Sequence, residues 1–137
     1  MTQEYFEYIE FPDGMFGFEE STRFLPMMIE EGSDAVLLLQ NMENEELSFI
    51  VMNPFMLCEE YDPILSDEDY AKLGTRKQEE LSFYVICVVK DSIEESTVNL
   101  KCPIVVNVVT RQARQVILES KEYKFRHFLK EFIKEEA

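Results

Sequence analysis

VLLLQNMENEELSFIVM, residues 36–52, holds two apolar runs of strand length, VLLLQ at 36–40 and LSFIVM at 47–52, joined by the polar connection NMENEE. Runs of this length and composition, bounded by polar clusters, predict strands, and the short connection predicts that they form a hairpin. Asn53 and Pro54 end the hairpin, and Phe55, Met56 and Leu57 follow as a short apolar group. Upstream, YFEYIEF (5–11) reads as an extended stretch ending at Pro12, and FLPMMI (24–29) as a strand that Pro26 limits to an edge or a strand start. Downstream, LSFYVICVV (81–89) is nearly all β-branched or aromatic, which predicts a strand buried on both faces. TVNLKCPIVVNVVT (97–110) reads as a long strand that Pro103 bends or breaks, and RQAR (111–114) as a basic turn into QVIL (115–118), a second hairpin.

Two helices are expected beside these strands. SDEDYAKLG (66–74) has Ser66 as N-cap, Asp69 at the capping-box position and Gly74 at the C-terminal stop. In the tail, Phe125, Phe128, Leu129, Phe132 and Ile133 recur at helical spacing, which predicts an amphipathic helix over 124–137. The fold class is therefore mainly β: a small antiparallel, barrel-like domain with one short helix and a C-terminal amphipathic helix, one domain over residues 1–137.

FPDGMFGFEE (11–20) places large apolar residues on a glycine-hinged turn. Gly14 and Gly17 suit left-handed backbone angles, so the segment reads as a turn or bulge. Met15 and Phe16 then either tuck into the core or form part of a surface covered by another protein. A phosphate-clamping role is disfavoured, because Asp13, Glu19 and Glu20 surround the loop.

The formal charge is −15, and it is unevenly spread. Met1 to Ala71 carry 18 acidic residues against one basic residue, Arg23, while Lys72 to Ala137 carry 10 against 12. Such an excess argues against nucleic acid and anionic membrane as direct partners and for a basic protein partner, or simply for a face kept soluble by charge. It also resists self-association, so a monomer is expected. There is no signal-peptide pattern and no apolar run of membrane-spanning length, so the chain is expected to be cytoplasmic with Cys58, Cys87 and Cys102 reduced.

Little in the sequence carries catalysis. His127 is the only histidine and reads as a packed or capping residue. Cys102, beside Lys101, is a more reactive thiol candidate than the apolar-strand residue Cys87, but a structural role is favoured for it as well. The phosphate-binding glycine patterns are absent, and the acids between Glu59 and Asp69 lack calcium-loop register. No cofactor, metal site or enzymatic activity is expected.

In order along the chain, FPDGMFGFEE (11–20), VLLLQNMENEELSFIVMNPF (36–55), FYVICVV (83–89), VNLKCPIVVNVVTRQARQVIL (98–118) and FRHFL (125–129) resemble the flagellar assembly factor FliW family. The resemblance implies a non-enzymatic cytoplasmic protein that binds the translational regulator CsrA away from its RNA surface. That binding relieves repression of flagellin synthesis, and such proteins also bind flagellin. A flagellin-only chaperone is the alternative. It further implies Phe11 and Phe18 anchored inward, with Met15 and Phe16 partly exposed near a binding surface. Together with the acids Glu43, Glu45, Glu46, Glu59 and Glu60 and the family-pattern residues Asn53, Phe55, Asn99 and Asn107, these are the candidate partner-binding positions. Asn99 and Asn107 are equally suited to holding edge or loop backbone. Two features depart from the family pattern: a short N-terminus before the FP motif, and Phe128 and Leu129 followed by KEFIKEEA where Pro-Leu is usual.

Overall fold

A computed structural model describes residues 8–29, 32 and 35–132. The 36–52 hairpin forms as expected: β3 (Val36–Asn41) pairs antiparallel with β4 (Ser48–Met52), Leu37 opposite Val51 and Leu39 opposite Phe49. Asn41 shapes the connection by accepting the backbone N–H groups of Glu43 and Asn44 on its Oδ1, at 3.0 and 2.8 Å. On the far side of β3 lies β2 (Arg23–Met28), and beyond it β1 (Ile9–Glu10), whose described residues pair with Phe24 and Arg23. Among the described residues Pro26 is paired on one side alone, with Leu39 of β3, the position a residue without an N–H tolerates.

β5 (Leu81–Val88) continues from β4 and divides its other edge between two strands. Its first half pairs with β7 (Ile104–Asn107) and its last two residues with β6 (Thr97–Val98), so Pro103 breaks the 97–110 stretch into two short strands. β7 pairs in turn with β8 (Ala113–Gln115), the second hairpin. The run β1-β2-β3-β4-β5-β7-β8 curls until β8 meets β1 through a single parallel bridge, Glu10 to Gln112, with the Glu10 N–H 3.0 Å from the Arg111 carbonyl. One bridge is not a ladder, and the architecture is a strongly curved antiparallel sheet rather than a closed barrel.

Two apolar clusters lie on opposite faces of the shared strands. Inside the curl are Phe11, Met15, Phe24, Leu37, Leu39, Val51, Ile104 and Val106, with the rings of Phe11 and Phe24 edge to face at 5.6 Å. Outside it, Leu81, Phe83, Val85, Cys87, Val98 and Val105 pack against Tyr61, Leu65, Leu73 and the segment from Val116 to Leu129. The strand buried on both faces is thus β7, buried at all four positions, and not 81–89. β5 alternates: Leu81, Phe83, Val85 and Cys87 fill the outer core, while Tyr84 and Ile86 only partly cover the inner one. Apolar composition alone does not report that difference, because it depends on what lies over each face.

The helix α2 (Asp67–Leu73) forms with the expected capping box, Ser66 and Asp69 exchanging bonds at 3.1 Å, and ends at Gly74. A further turn, α1 (Pro54–Leu57), starts at Asn53, whose Oδ1 accepts the Phe55 N–H at 3.0 Å. The tail departs from expectation over its described part. Residues 124–126 are not helical, His127–Phe128 form β9 against β6, and a 3-10 turn covers Leu129–Phe132. Cross-strand partners take the backbone bonds a helix would need: the Leu129 N–H donates to the Ser96 carbonyl at 2.9 Å. Burial follows a period of two, with His127 and Leu129 inside and Phe128 outside. Residues 133–137 of the expected helix, and the start of YFEYIEF, lie outside the described residues.

Candidate protein-binding surface

The turn quoted from 11–20 has a mechanical origin. After Glu10 the chain leaves the edge of β8, and the Gly14 N–H closes a tight turn onto the Phe11 carbonyl at 2.8 Å. Gly14 has φ +73°, and a Cβ there would lie 2.3 Å from the carbonyl oxygen of Glu19. Gly17, at φ +86°, faces open space. Between them Met15 points inward and is 1 % exposed, whereas Phe16 is 47 % exposed. The expectation is thereby half corrected: Met15 is a core residue because the reversal at Gly14 turns it into the curl, and only Phe16 is presented outward. Phe18 is also corrected; it is 42 % exposed and stands edge-on against Phe49 at 5.4 Å instead of entering the core.

A groove of about 710 Å³ opens beside this turn, walled by the turn itself, the approach to α2 and residues 114–120. Arg114 organises its floor. Its Nε lies 2.9 Å from Asp69, its Nη1 3.0 Å from Asp13 and its Nη2 3.8 Å from Glu68. Asp69, buried and already engaged with the Ser66 backbone, thus ties the first turn of α2 to β8. Gln115 accepts the Phe16 N–H on Oε1 at 2.9 Å and so fixes the exposed ring over one end of the groove. Ile64 and Ile117, 73 % and 57 % exposed, add outward apolar lining above the buried Leu65, Val116 and Leu118.

The other candidate positions do not join this groove into one patch. Glu43, Glu45 and Glu46 are exposed at the β3–β4 connection, where Glu43 pairs with Arg23. Glu59 and Glu60 are exposed just after α1, at the opposite end of β4. Five strand residues separate the two groups, about 16 Å at the usual rise. Phe55 is partly exposed and leans on Tyr61 and Phe83 at 5.7 Å each, so it closes the outer core as much as it faces outward.

The three asparagines hold backbone. Asn53 caps α1. Asn99 accepts the Lys101 and Cys102 N–H groups at 3.1 and 2.9 Å, shaping the break before Pro103. Asn107, 2 % exposed, donates to the Leu73 carbonyl at 2.9 Å and accepts the N–H groups of Val109 and Thr110. A side chain buried to that degree makes no partner contact, and the 107 position is corrected to a structural one. Cys102 takes the structural role favoured for it: it is buried, and burial pushes its thiol up, only partly opposed by Asn99 and Lys101. Burial pushes Cys87 up to about 12. His127 accepts the Lys124 N–H on Nε2 at 2.8 Å and meets Glu131 at 3.2 Å, a packed residue holding the tail.

Residues 1–129 match the family model described as FliW protein. This chain belongs to the FliW family. Flagellar assembly factor FliW of Ruminiclostridium cellulolyticum is 37 % identical over 121 residues, covering 88 % of this chain and 82 % of the relative. The FliW of Thermotoga neapolitana is 35 % identical over 122 residues, covering 88 % and 81 %. A crystal structure of the flagellar assembly factor FliW superposes with a TM-score of 0.85 at 30 % identity, over 94 % of this chain and 89 % of that one. The curved mainly antiparallel sheet with two helices is the FliW fold. Among the described residues no helix is long and apolar enough to cross a membrane.

The groove residues Arg114, Asp69, Gln115, Ile64 and Ile117 were not among the sequence candidates. Arg114 lies in the visible basic turn, but its partner Asp13 is 101 residues away, and no local pattern joins them.

Proposed function

We propose that this chain is a non-enzymatic, cytoplasmic flagellar assembly factor acting through protein binding: it binds CsrA, weakens that regulator's hold on RNA and so relieves repression of flagellin synthesis, and it also binds flagellin. The observation that carries the reading is the exposed acid: Glu45, Glu46, Glu59 and Glu60 stand in solvent on the strongly negative first half, without counter-charges among the described residues. An RNA-binding partner must present positive charge to phosphates. Negative charge held within about a Debye length, roughly 8 Å, lowers its attraction for RNA without occupying the RNA site. The exposed positions Phe16, Glu43, Glu45, Glu46, Phe55, Glu59 and Glu60 are the contact and field residues in this reading, with Asn53 and Asn99 shaping the loops beneath them.

Isothermal titration of the chain with purified CsrA and with flagellin tests it. Binding to both, with flagellin displacing CsrA, is expected; binding to flagellin alone leaves a chaperone, and binding to neither overturns the proposal. Reversing Glu45, Glu46, Glu59 and Glu60 to Lys takes the formal charge from −15 to −7. The variant is expected to release RNA from CsrA less well at low salt, and unchanged release counts against the electrostatic part.

A further inference from the structure

Among the described residues, the outer edge of the chain after β8 is left without a partner. Val116 and Leu118 donate inward, to the carbonyls of Pro103 and Lys101 at 3.0 and 2.8 Å. Backbone groups alternate sides along an extended chain, so those of Ile117 and Glu119 point the other way. Among the described residues neither makes a hydrogen bond. β1 covers this edge only at Gln112, after which the glycine-hinged turn carries the chain away and the Phe16–Gln115 bond holds it clear. β8 itself ends at Gln115, and residues 116–119 continue from it with burial alternating at every second position, so their outward backbone groups form an open edge along one wall of the groove, with Phe16, Ile64 and Ile117 beside it.

We infer that this edge takes up an extended segment of a partner protein by strand addition, and that the segment is basic with alternating apolar residues. Main-chain pairing to an open edge supplies affinity and the flanking side chains supply selectivity. The charge selects the occupant. Asp13, Glu68, Asp69 and Glu119 line the groove against the guanidinium of Arg114, which Asp13 and Asp69 already engage, and the Lys72 ammonium 3.5 Å behind Asp13, so the acids stay in excess. Glu119, at the end of the open edge, has no ion-pair partner among the described residues. An acidic strand, or a second copy of this acidic chain, meets repulsion there.

The inference rests on the reading of the protein as a protein-binding factor, and a defined probe separates the two. The capped peptide Thr-Val-Lys-Val-Lys-Val-Thr is titrated into the full-length chain while amide exchange is followed residue by residue. Slowed exchange at the Ile117 and Glu119 amides, with weaker binding of the version carrying Glu for Lys, is expected. Ile117→Pro removes one donor from a position that makes no hydrogen bond among the described residues, and an unchanged melting temperature checks that it folds; affinity falls by about tenfold. Glu119→Lys, which leaves the backbone alone, weakens the basic peptide and strengthens the acidic one. Protection elsewhere, or equal binding by Ile117→Pro, overturns the inference, as does protection of the edge that rises with protein concentration in the absence of peptide, which would mark self-pairing. The same variant titrated with CsrA and flagellin completes the separation: failure of the unaltered chain to bind either removes the functional reading, whereas equal binding by both chains removes the edge.

Discussion

Gly14 and Gly17 share a left-handed backbone but not an environment, so their alanine variants separate backbone strain from steric exclusion. For Gly17→Ala the left-handed conformation costs about 1–2 kcal/mol. The stiffer unfolded chain returns about 0.4–1 kcal/mol of that. Nothing lies within 4 Å of the added methyl, so the net loss is about 1 kcal/mol or less. Gly14→Ala carries the same terms and also drives a methyl to within 2.3–2.5 Å of the backbone of Glu19. A backbone atom cannot rotate aside as a side-chain end does, so the turn must open, at a further cost of about 1–3 kcal/mol typical of overpacking. The opening also disturbs Met15, which the turn seats in the inner core. The two variants should differ by about 2 kcal/mol, or about 8 °C in melting temperature for a chain of this size. Paired urea and thermal denaturation of the full-length chain measures this. Equal midpoints for the two variants would refute the close approach of Gly14 to Glu19 and, with it, the account of why the turn leaves the sheet edge.

Asn107→Ala should destabilise by about 2–4 kcal/mol, because it strips the buried Leu73 carbonyl of its donor and two loop N–H groups of their acceptor; denaturation midpoints give the value. In native protein a thiol reagent such as Ellman's should titrate one cysteine, the half-buried Cys58, and three after unfolding, since Cys87 and Cys102 are buried and held as thiols. Burial pushes Glu131 up, but bonds from His127 and the Phe128 N–H, with the charge of Lys124, outweigh it and hold the carboxyl below its usual value. A depressed acid stabilises above its unfolded pKa and loses that contribution as pH falls through the folded one. The melting-temperature gap between the native chain and Glu131→Gln should therefore be open near neutrality and close on acidification below the ordinary carboxylate range.

Where local chemistry decides the outcome, the sequence was a good guide. Ser66, Asp69 and Gly74 carry a helix's own start and stop signals within nine residues, and α2 forms between them; Pro103 breaks a strand wherever it stands. The tail illustrates the opposite case. Phe125, Phe128, Leu129 and Phe132 have helical spacing, yet β6 offers an edge at Thr97 and Val98, and pairing with it overrides the period. The same holds for Met15 and Phe16: adjacent, similarly apolar, and sorted to opposite sides only by the reversal at Gly14. The groove was illegible for a further reason. Its floor is an ion network among residues 13, 68, 69 and 114, and its open edge exists because β1 ends at Glu10 and the chain turns away, both consequences of tertiary closure.

The bridge between Glu10 and Gln112 is a seam, and a seam sets an order of events. It joins residues 102 apart, and among the described residues its bridge carries the Glu10 N–H bond and a 3.3 Å contact between the two side chains, with the Phe16–Gln115 and Asp13–Arg114 bonds farther along the same line. Hairpins such as β3–β4 and β7–β8 close loops of a few residues, so they form while the chain is still open, whereas the seam must wait until both flanks are assembled. What forms last with least is also what opens first. The curl can therefore unzip at this line and re-seal while the outer core stays folded, leaving the margin beside the groove as the part of the molecule that breathes.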